Sequence, residues 1–231
     1  MSANAAKPAK FAPSALRQAE TWVFDLDNTL YSGVHGLFEQ IDSRMKAYLA
    51  QVLDIDETAA YAVQKTYFRN YGTTLRGMML NHTVDPKAYL DFVHDIDITA
   101  IPRAPELDAQ LARLSGRKVI FTNADLPHVE RVLNRLGITD RFDGVFDIFD
   151  ADFIPKPAPE IYDTLVKRFA ISPNRAVMVE DIARNLEPAA RLGMATLWVR
   201  PVTECIICKE EPTGAFVDFE TDDLVAWLNA L

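Results

Sequence analysis

Two aspartates, Asp25 and Asp27, follow a short apolar run in the segment WVFDLDNTLY. A carboxylate can attack phosphorus and form an aspartyl-phosphate, which water later hydrolyses. A second acid close by can protonate the leaving alkoxide and then deprotonate that water. We therefore assign Asp25 as the candidate nucleophile and Asp27 as the candidate acid and base. A lone D-x-D pair is more often a solvated turn or a helix cap, so this hypothesis requires further residues.

Polar residues at three later points of the chain can supply those further groups. Thr122 and Asn123 follow KVIF and offer a hydroxyl, an amide and backbone N–H groups to a phosphate. Lys156, in IPKPAPE, offers a positive charge to the phosphoryl group and the nucleophile. Glu180 and Asp181 follow the run VMV. Each of these groups alone also fits an ordinary turn, loop or helix cap. The evidence for a catalytic site is that all of them occur in one chain, in this order after Asp25 and Asp27.

Two of these carboxylates, Asp25 and Asp181, can supply anionic oxygens to one hard cation. Mg²⁺ prefers a few carboxylates together with water and substrate phosphate oxygens. Without a cation the clustered carboxylates would repel one another. We therefore predict a Mg²⁺ site here, and we add Leu26 to the predicted phosphate-binding residues Thr122, Asn123 and Lys156.

The elements around these residues predict an α/β fold with a doubly wound parallel sheet. Apolar strands alternate with helices of about ten residues, which is typical of parallel sheets. Ligands of such sheets bind beyond the carboxyl ends of the strands, where all the candidate residues lie. The predicted strands are 21–26, 118–122, 144–146, 176–180 and 195–199. The predicted helices after residue 103 are 105–115, a helix from the N-cap Asp125 to Gly137, 158–170, 182–192 and 221–230.

The segment between residues 33 and 103 differs from the rest because it has helical periodicity and no convincing strand. We therefore expect an α/β core domain formed by residues 19–32 and 104–231, with an all-helical cap domain inserted after the first strand. Residues 1–18 lack an apolar signal-peptide core and are expected to form a flexible tail.

The composition narrows the class of function. The 231 residues are 49% hydrophobic and carry a net charge of −9, with 24 basic and 33 acidic residues. This balance argues against nucleic-acid polymers as partners, and no apolar stretch is long enough to cross a membrane. A cytoplasmic location follows by default. Cys205 and Cys208 form a C-x-x-C pair that could be half a zinc site or a redox couple, but ordinary cysteines are favoured because nothing completes a tetrahedral site.

Over residues 20–200 the chain resembles the haloacid dehalogenase superfamily of phosphatases. Four motifs carry the resemblance: FDLDNTLY (24–31), FTNA (121–124), PKPAPEIY (155–162) and VEDIARNLEPAARLGM (179–194). The resemblance implies Mg²⁺, Asp25 as nucleophile, Asp27 as acid and base, and Thr122 and Lys156 as phosphate-binding residues. It also implies metal coordination by the Asp27 carbonyl and the Asp181 carboxylate. Many relatives have Asp-Asp where this chain has Glu180-Asp181, so Glu180 is expected to reach the metal through a water.

Two features narrow the branch of the superfamily. Dehalogenases and phosphonatases lack an acid at the position of Asp27, so its presence favours phosphate esters. In the cap, LFEQIDSRM (37–45), YGTTLRGM (71–78) and FVHDID (92–97) resemble the pyrimidine 5′-nucleotidase family. The resemblance implies a nucleoside monophosphate as the substrate.

The cap is expected to read the leaving group, with Thr74, Arg76 and His94 as the candidate contacts. Two structural alternatives stay open: Arg76 pairs with an acid such as Asp95, and His94 is a packed structural histidine. At the level of function, the alternatives are a sugar-phosphate or phosphoglycolate phosphatase or phosphomutase on the same core, and a non-catalytic regulatory protein. The oligomeric state is expected to be a monomer or a homodimer.

Overall fold

A computed structural model describes residues 16–201 and 214–231. Within these residues six parallel strands form one sheet in the order β3-β2-β1-β4-β5-β6. The strands are β1 (Thr21–Phe24), β2 (Arg117–Phe121), β3 (Gly144–Phe146), β4 (Ala176–Glu180), β5 (Ala195–Val199) and β6 (Phe219–Thr221). The predicted α/β fold with a doubly wound parallel sheet is confirmed.

The central strands are mostly apolar and fully buried because helices cover both faces of the sheet. All four residues of β1 and all five of β4 are buried. β1 pairs with β2 on one side and with β4 on the other. The chain order of the strands therefore reverses between β1 and β4, and such a switch point opens a crevice beyond the carboxyl ends of both strands.

The described residues include nine α-helices. Four lie in the inserted segment between residues 33 and 103: α1 (Leu37–Leu53), α2 (Glu57–Tyr71), α3 (Thr74–Asn81) and α4 (Pro86–Val93). The other five are α5 (Pro105–Arg113), α6 (Leu126–Leu136), α7 (Pro159–Arg168), α8 (Leu186–Leu192) and α9 (Leu224–Ala230). Short 3₁₀ helices cover Gly33–His35, Thr139–Arg141, Pro173–Arg175 and Ala183–Asn185.

The starts of the inserted helices follow their local sequence. The Asp56 carboxylate accepts a hydrogen bond from the Ala59 amide at the start of α2, and the Thr73 hydroxyl accepts one from the Arg76 amide at the start of α3. Such caps satisfy amides that have no partner within the helix. We refer to residues 33–103, which contain α1 to α4, as the cap; its boundary as a separate domain stays a prediction.

The last helix and the N-terminal segment differ from their predictions. The predicted last helix, 221–230, begins later, at Leu224, and residue 221 belongs to the unpredicted strand β6. β6 has three residues, none of them fully buried, and so carries no apolar period. Leu16, inside the segment 1–18 that we predicted as a tail, is buried in the core.

Residues 1–15, Cys205 and Cys208 lie outside the described residues. None of the described helices is both long and apolar enough to span a bilayer.

Candidate active site

Asp25 occupies the crevice at the switch point, directly after β1. Its backbone amide donates to the carbonyl of Val179 on β4 at 2.9 Å, which continues the strand pairing past the end of β1. The side chain is 8% exposed, and the hydroxyl of Thr29 donates to its Oδ2 at 3.0 Å. The carboxylate is thus held on one side while it faces a cavity.

Lys156 reaches Asp25 from the loop between β3 and α7. Its Nζ donates to Asp25 Oδ1 and to Glu180 Oε2, both at 2.6 Å, and to the carbonyl of Phe121 at 3.0 Å. The side chain is almost completely buried. Burial opposes the charge of the ammonium group, but the two carboxylates outweigh it and raise the pKa of Lys156 above its ordinary value. Lys156 therefore stays cationic at the centre of an acidic site.

Three buried carboxylates, Asp25, Glu180 and Asp181, form the acidic part of this site. Each offers an oxygen within 4.8 Å of the others. Burial and the charge of Glu180 raise the pKa of Asp25 to about 7, and the same causes raise the pKa of Asp181 well above its ordinary value. One lysine does not balance three carboxylates at close range, so the set suits a hard divalent cation.

Glu180 differs from its two neighbours in this cluster. Its Oε2 accepts from Lys156, and its Oε1 accepts from the backbone amide of Ile182 at 3.2 Å. Asp181 is held through its backbone instead, since the indole of Trp198 donates to its carbonyl at 2.8 Å. Both oxygens of Glu180 thus accept from the protein, whereas the Asp181 carboxylate interacts with Glu180 itself.

Asp27 lines the same cavity, and its Oδ1 accepts two hydrogen bonds. The hydroxyl of Tyr31 donates at 2.6 Å, and Nε2 of His128, on α6, lies at 2.9 Å. Burial alone would raise the pKa of Asp27, but the charge and hydrogen bond of His128 and the Tyr31 hydroxyl lower it to about 2. Burial likewise disfavours the charged imidazole, yet Asp27 raises the pKa of His128. The two side chains stabilise each other as a carboxylate and an imidazolium.

The predicted phosphate-binding residues surround the nucleophile. Thr122 and Asn123 line the cavity after β2. The Thr122 hydroxyl accepts from the amide of Ala124 at 3.0 Å, which leaves its own hydrogen for another acceptor. Asn123 Oδ1 accepts from the amide of Lys156 at 2.9 Å and so fixes the lysine loop. The side chain of Leu26 is buried in the core, so only its backbone can contact phosphate.

The cavity continues from the core into the cap, where its wall is mostly apolar. Among the apolar cap residues that line it are Phe38, Ile41, Met45, Phe68, Leu75, Leu90 and Val93. Thr74, one of the predicted substrate contacts, also lines it. A polar group of cap residues, Asp42, Gln64 and Lys65, lies in the same wall. Gln64 Nε2 and Lys65 Nζ both donate to Asp42 Oδ1, at 2.8 and 2.6 Å.

The structure does not bring Arg76 to this cavity. Arg76 lies on another face of α3, next to a shallow depression that it shares with Tyr71, Leu80 and Pro155. The helical rotation between Thr74 and Arg76 accounts for the difference, because residues two apart on a helix face different directions. The suggested pairing of Arg76 with Asp95 is also wrong, since Asp95 Oδ2 forms an ion pair with Nη2 of Arg44 at 3.1 Å.

His94 lines the cavity and is also tightly packed. Its Nδ1 lies 2.7 Å from Asp125 Oδ1, and its ring stacks on that of His128 with the ring centres 4.4 Å apart. Arg131 donates to its carbonyl at 2.6 Å.

Asp125 is at the predicted N-cap of α6, but its side chain bonds to His94 and makes no capping bond. The Asp147 carboxylate accepts from the Leu126 amide instead.

The residues of the site that the sequence analysis missed include Tyr31, Gln64, Asp125 as a side-chain partner, and His128. Tyr31 carried a signal, because a residue four positions after Asp27 can return to it in a turn. His128 lies 101 residues from Asp27 in the chain. Gln64 sits on the cap helix α2, and neither its type nor its spacing indicated that it would be buried beside a cavity.

The arrangement of these residues can be compared with known proteins. The sequence model of the family described as haloacid dehalogenase-like hydrolase matches residues 20–193, which include Asp25, Thr122, Lys156 and Asp181. The chain belongs to this family. The match extends from β1 through the cap to α8, so the helical segment lies within the family's own span. The resemblance based on the four motifs is confirmed, whereas the likeness to pyrimidine 5′-nucleotidases is not specifically supported.

Similar curated proteins include one that is named as a phosphatase. Phosphate metabolism protein 8 of Saccharomyces cerevisiae is 26% identical over an alignment of 191 positions, which covers 76% of this chain and 60% of that protein. Glyceraldehyde 3-phosphate phosphatase of Pyrococcus furiosus is 25% identical over an alignment of 201 positions, which covers 80% of this chain and 82% of the archaeal protein. The chain thus spans less than two thirds of the yeast relative.

Solved structures of the family share the fold. CbbY from Rhodobacter sphaeroides, in complex with phosphate, has a TM-score of 0.63 at 20% identity and covers 91% of this chain and 99% of its own. YfnB from Bacillus subtilis, described as a putative HAD-hydrolase bound to magnesium, has a TM-score of 0.61 at 15% identity, with 93% and 99% covered. At these identities the likeness establishes the architecture alone.

Proposed function

We propose that this haloacid dehalogenase-like protein is a Mg²⁺-dependent phosphomonoester hydrolase that works through an aspartyl-phosphate on Asp25. The observation that carries this proposal is the contact of Lys156 Nζ with Asp25 Oδ1 at 2.6 Å, at the mouth of a cavity that Asp27 also lines. A buried cation beside a carboxylate orients it and favours the approach of a phosphate. A purely structural ion pair would not need a second acid facing the same cavity.

The chemistry divides into two displacements at phosphorus. A carboxylate oxygen of Asp25 attacks, the phosphorus–oxygen bond to the leaving group breaks, and Asp27 gives the leaving oxygen a proton. Asp27 then takes a proton from water, whose oxygen attacks phosphorus and releases phosphate and the free Asp25 carboxylate. Asp27 has a low pKa in the free protein, and the negative charge of a bound phosphate would raise it toward the protonated form that the first displacement needs.

The phosphate seat would combine charge and hydrogen-bond donors. Lys156 supplies the charge, and the Thr122 hydroxyl and the backbone N–H groups near Leu26 and Asn123 supply donors. The Asn123 side chain acts on Lys156, because it accepts from the backbone of the lysine loop. Losing Asn123 would therefore displace the lysine as well as remove a donor.

The acidic cluster fits a Mg²⁺ ion through its donor set. The carboxylates of Asp25 and Asp181 and the backbone carbonyl of Asp27 would hold it, with Glu180 reaching it through a water. The ion supplies charge neutralisation that allows an anionic phosphate to approach anionic carboxylates. Burial and the charge of Glu180 raise the pKa values of Asp25 and Asp181, and a cation between the carboxylates would offset both effects.

A nucleoside 5′-monophosphate, such as a pyrimidine nucleotide, is the favoured substrate. The apolar cap wall, with Phe38 and Phe68, suits a flat base better than a polyhydroxylated sugar. Within the described residues, Gln64 Oε1 is buried and has no hydrogen-bond partner. A ring N–H of a pyrimidine would satisfy this acceptor once the cap opens around the ligand, because the oxygen is closed off from solvent in this structure.

A small sugar phosphate is the alternative substrate on the same core. The relative from Pyrococcus furiosus is named glyceraldehyde 3-phosphate phosphatase and aligns with 80% of this chain. A three-carbon phosphate would leave the apolar cap wall without a partner, so the cavity favours the larger ligand.

Turnover across a panel of phosphate esters tests both levels of the proposal. The panel contains pyrimidine and purine nucleoside monophosphates, sugar phosphates and phosphoglycolate, each with Mg²⁺ and with a chelator. We expect hydrolysis only with Mg²⁺, fastest for nucleotides. Asp25→Asn should abolish turnover with the fold intact, while Asp163→Asn, which replaces an exposed acid on α7, serves as the control. Turnover by the Asp25 variant would show that Asp25 is not the nucleophile. Faster hydrolysis of sugar phosphates than of nucleotides would favour the alternative substrate.

A further inference from the structure

The environment of the Asp27 carboxylate distinguishes its two oxygens. Tyr31 and His128 both bind Oδ1, at 2.6 and 2.9 Å. Among the residues the structure describes, none bonds to Oδ2 of Asp27, whose side chain lines the cavity and remains 28% exposed. One oxygen is therefore anchored to the protein, and the other is available to a bound molecule.

His128 is unusual as a buried histidine. Its side chain is completely inaccessible to solvent, and in the described part of the chain its Nδ1 has no hydrogen-bond partner. A buried polar atom without a partner costs free energy, so packing alone would favour an apolar residue at this position. What His128 does offer is the Nε2–H bond to Asp27, because a carboxylate can only accept and Nε2 must then carry the hydrogen.

The ring of His128 is itself held in place by the cap. His94 stacks on it at 4.4 Å with the ring planes 23° apart. Asp125 Oδ1 fixes the imidazole of His94, and Arg131 fixes its backbone carbonyl. Both of these residues belong to the core side of the site, so the His94 ring cannot turn freely.

We propose that His128 is a positioning residue that anchors Asp27 through Oδ1, so that Oδ2 exchanges the proton with the leaving oxygen and later with water. The inference rests on the acid and base role given to Asp27 in the proposed function. Proton transfer requires hydrogen-bond reach and a fixed direction, and a carboxyl group that rotates freely meets this requirement only part of the time.

The dependence of rate on the leaving group tests this role. Alkyl phosphates release a basic alkoxide that needs a proton, whereas p-nitrophenyl phosphate releases a stable phenolate that does not. The comparison uses kcat/KM, which reports the steps up to formation of the phosphoenzyme. The full-length protein with Mg²⁺ is assayed on ethyl phosphate and on p-nitrophenyl phosphate, as wild type and as the variants His128→Phe, His128→Gln and Asp27→Asn.

We expect His128→Phe to lower kcat/KM for ethyl phosphate by about 10- to 100-fold while changing the aryl ester by less than about threefold. His128→Gln, whose Nε2 can donate to the same oxygen, should restore much of the alkyl rate. His82→Phe is the matched control, because His82 makes a similar 2.7 Å bond to Tyr67 and does not line the cavity. It should leave the alkyl-to-aryl ratio unchanged.

Two outcomes would overturn the inference: equal losses on both esters in His128→Phe, or no loss on either. If the phenylalanine variant does not fold, His128→Met is judged by the same ratio. Asp27→Asn separates this inference from the proposed function. If Asp27→Asn hydrolyses ethyl phosphate at the wild-type kcat/KM, Asp27 is not the acid and the proposed function fails at this point. If Asp27→Asn loses rate on ethyl phosphate selectively but His128→Phe does not, only the positioning role of His128 is rejected.

Discussion

The ammonium group of Lys156 lies 2.6 Å from the carboxylate of Asp25, and both side chains are buried. The same ammonium lies 2.6 Å from Glu180. This ammonium group therefore offsets the repulsion within the acidic cluster. Both the activity and the stability of the protein should depend on it.

Replacing Lys156 by Met should abolish turnover and lower the free energy of unfolding by about 3–5 kcal/mol at neutral pH, because it leaves buried carboxylates without a counter-charge. Denaturant titration measures this loss. Lys118→Met is the control, since Lys118 is also buried but its ammonium donates to the carbonyls of Leu114 and Gly116. An equal loss in the control would show that burial of a lysine, and not the acidic cluster, sets the cost.

Mg²⁺ binding should strengthen as the pH rises through about 7, because burial and Glu180 raise the pKa of Asp25 to about 7 and the ion displaces that proton. Calorimetry in buffers of different ionisation enthalpy would count the protons released. A binding constant that stays flat across this pH range would contradict the expectation.

The stability of the metal-free protein should show the opposite dependence on pH. The raised pKa of Asp25 means that the folded state holds its proton better than the unfolded chain does. This contribution is complete below the ordinary value of 3.8 and is lost as the pH rises to about 7. Urea titrations over this range measure it, and Asp25→Asn, which cannot titrate there, should show a smaller loss.

Gln64 should affect the binding of large leaving groups selectively. Gln64→Leu removes the unpaired Oε1, so KM for a pyrimidine nucleotide should rise about tenfold while that for p-nitrophenyl phosphate changes little. Steady-state kinetics on the two esters provide the measurement. Gln51→Leu, at an exposed position of α1, should leave both values unchanged. Equal effects on both esters would place Gln64 in cap stability and not in recognition.

Gly77 should be required for the packing of α3 against α2. A Cβ at this position would overlap the ring of Tyr67. Gly77→Ala should therefore lower the free energy of unfolding by about 1–3 kcal/mol. A double-mutant cycle with Tyr67→Ala checks the cause, because the penalty of the alanine at 77 should disappear when the ring is absent. An additive cycle would assign the penalty to something other than this contact.

Local pattern was sufficient to predict most of the core. Apolar strands followed by polar residues located β1, β2, β4 and β5, and parallel topology brings the ends of such strands to one edge. For this reason Lys156 and Asp25 could be expected to meet although 131 residues separate them. The three-residue strand β6 was not predicted, because an exposed edge strand of that length has no periodic pattern of apolar residues.

Residue types and spacing were thus enough to predict the family, the fold class and the core residues Asp25, Thr122, Lys156 and Asp181, since strand ends follow a general rule. The contacts of the cap could be read from the three-dimensional structure alone. It turned Arg76 away from the cavity, set Gln64 in the cavity wall and stacked His94 on His128 beside Asp27. These contacts depend on how helices rotate and dock across a long separation in the chain, and side-chain type and spacing carry no signal for that.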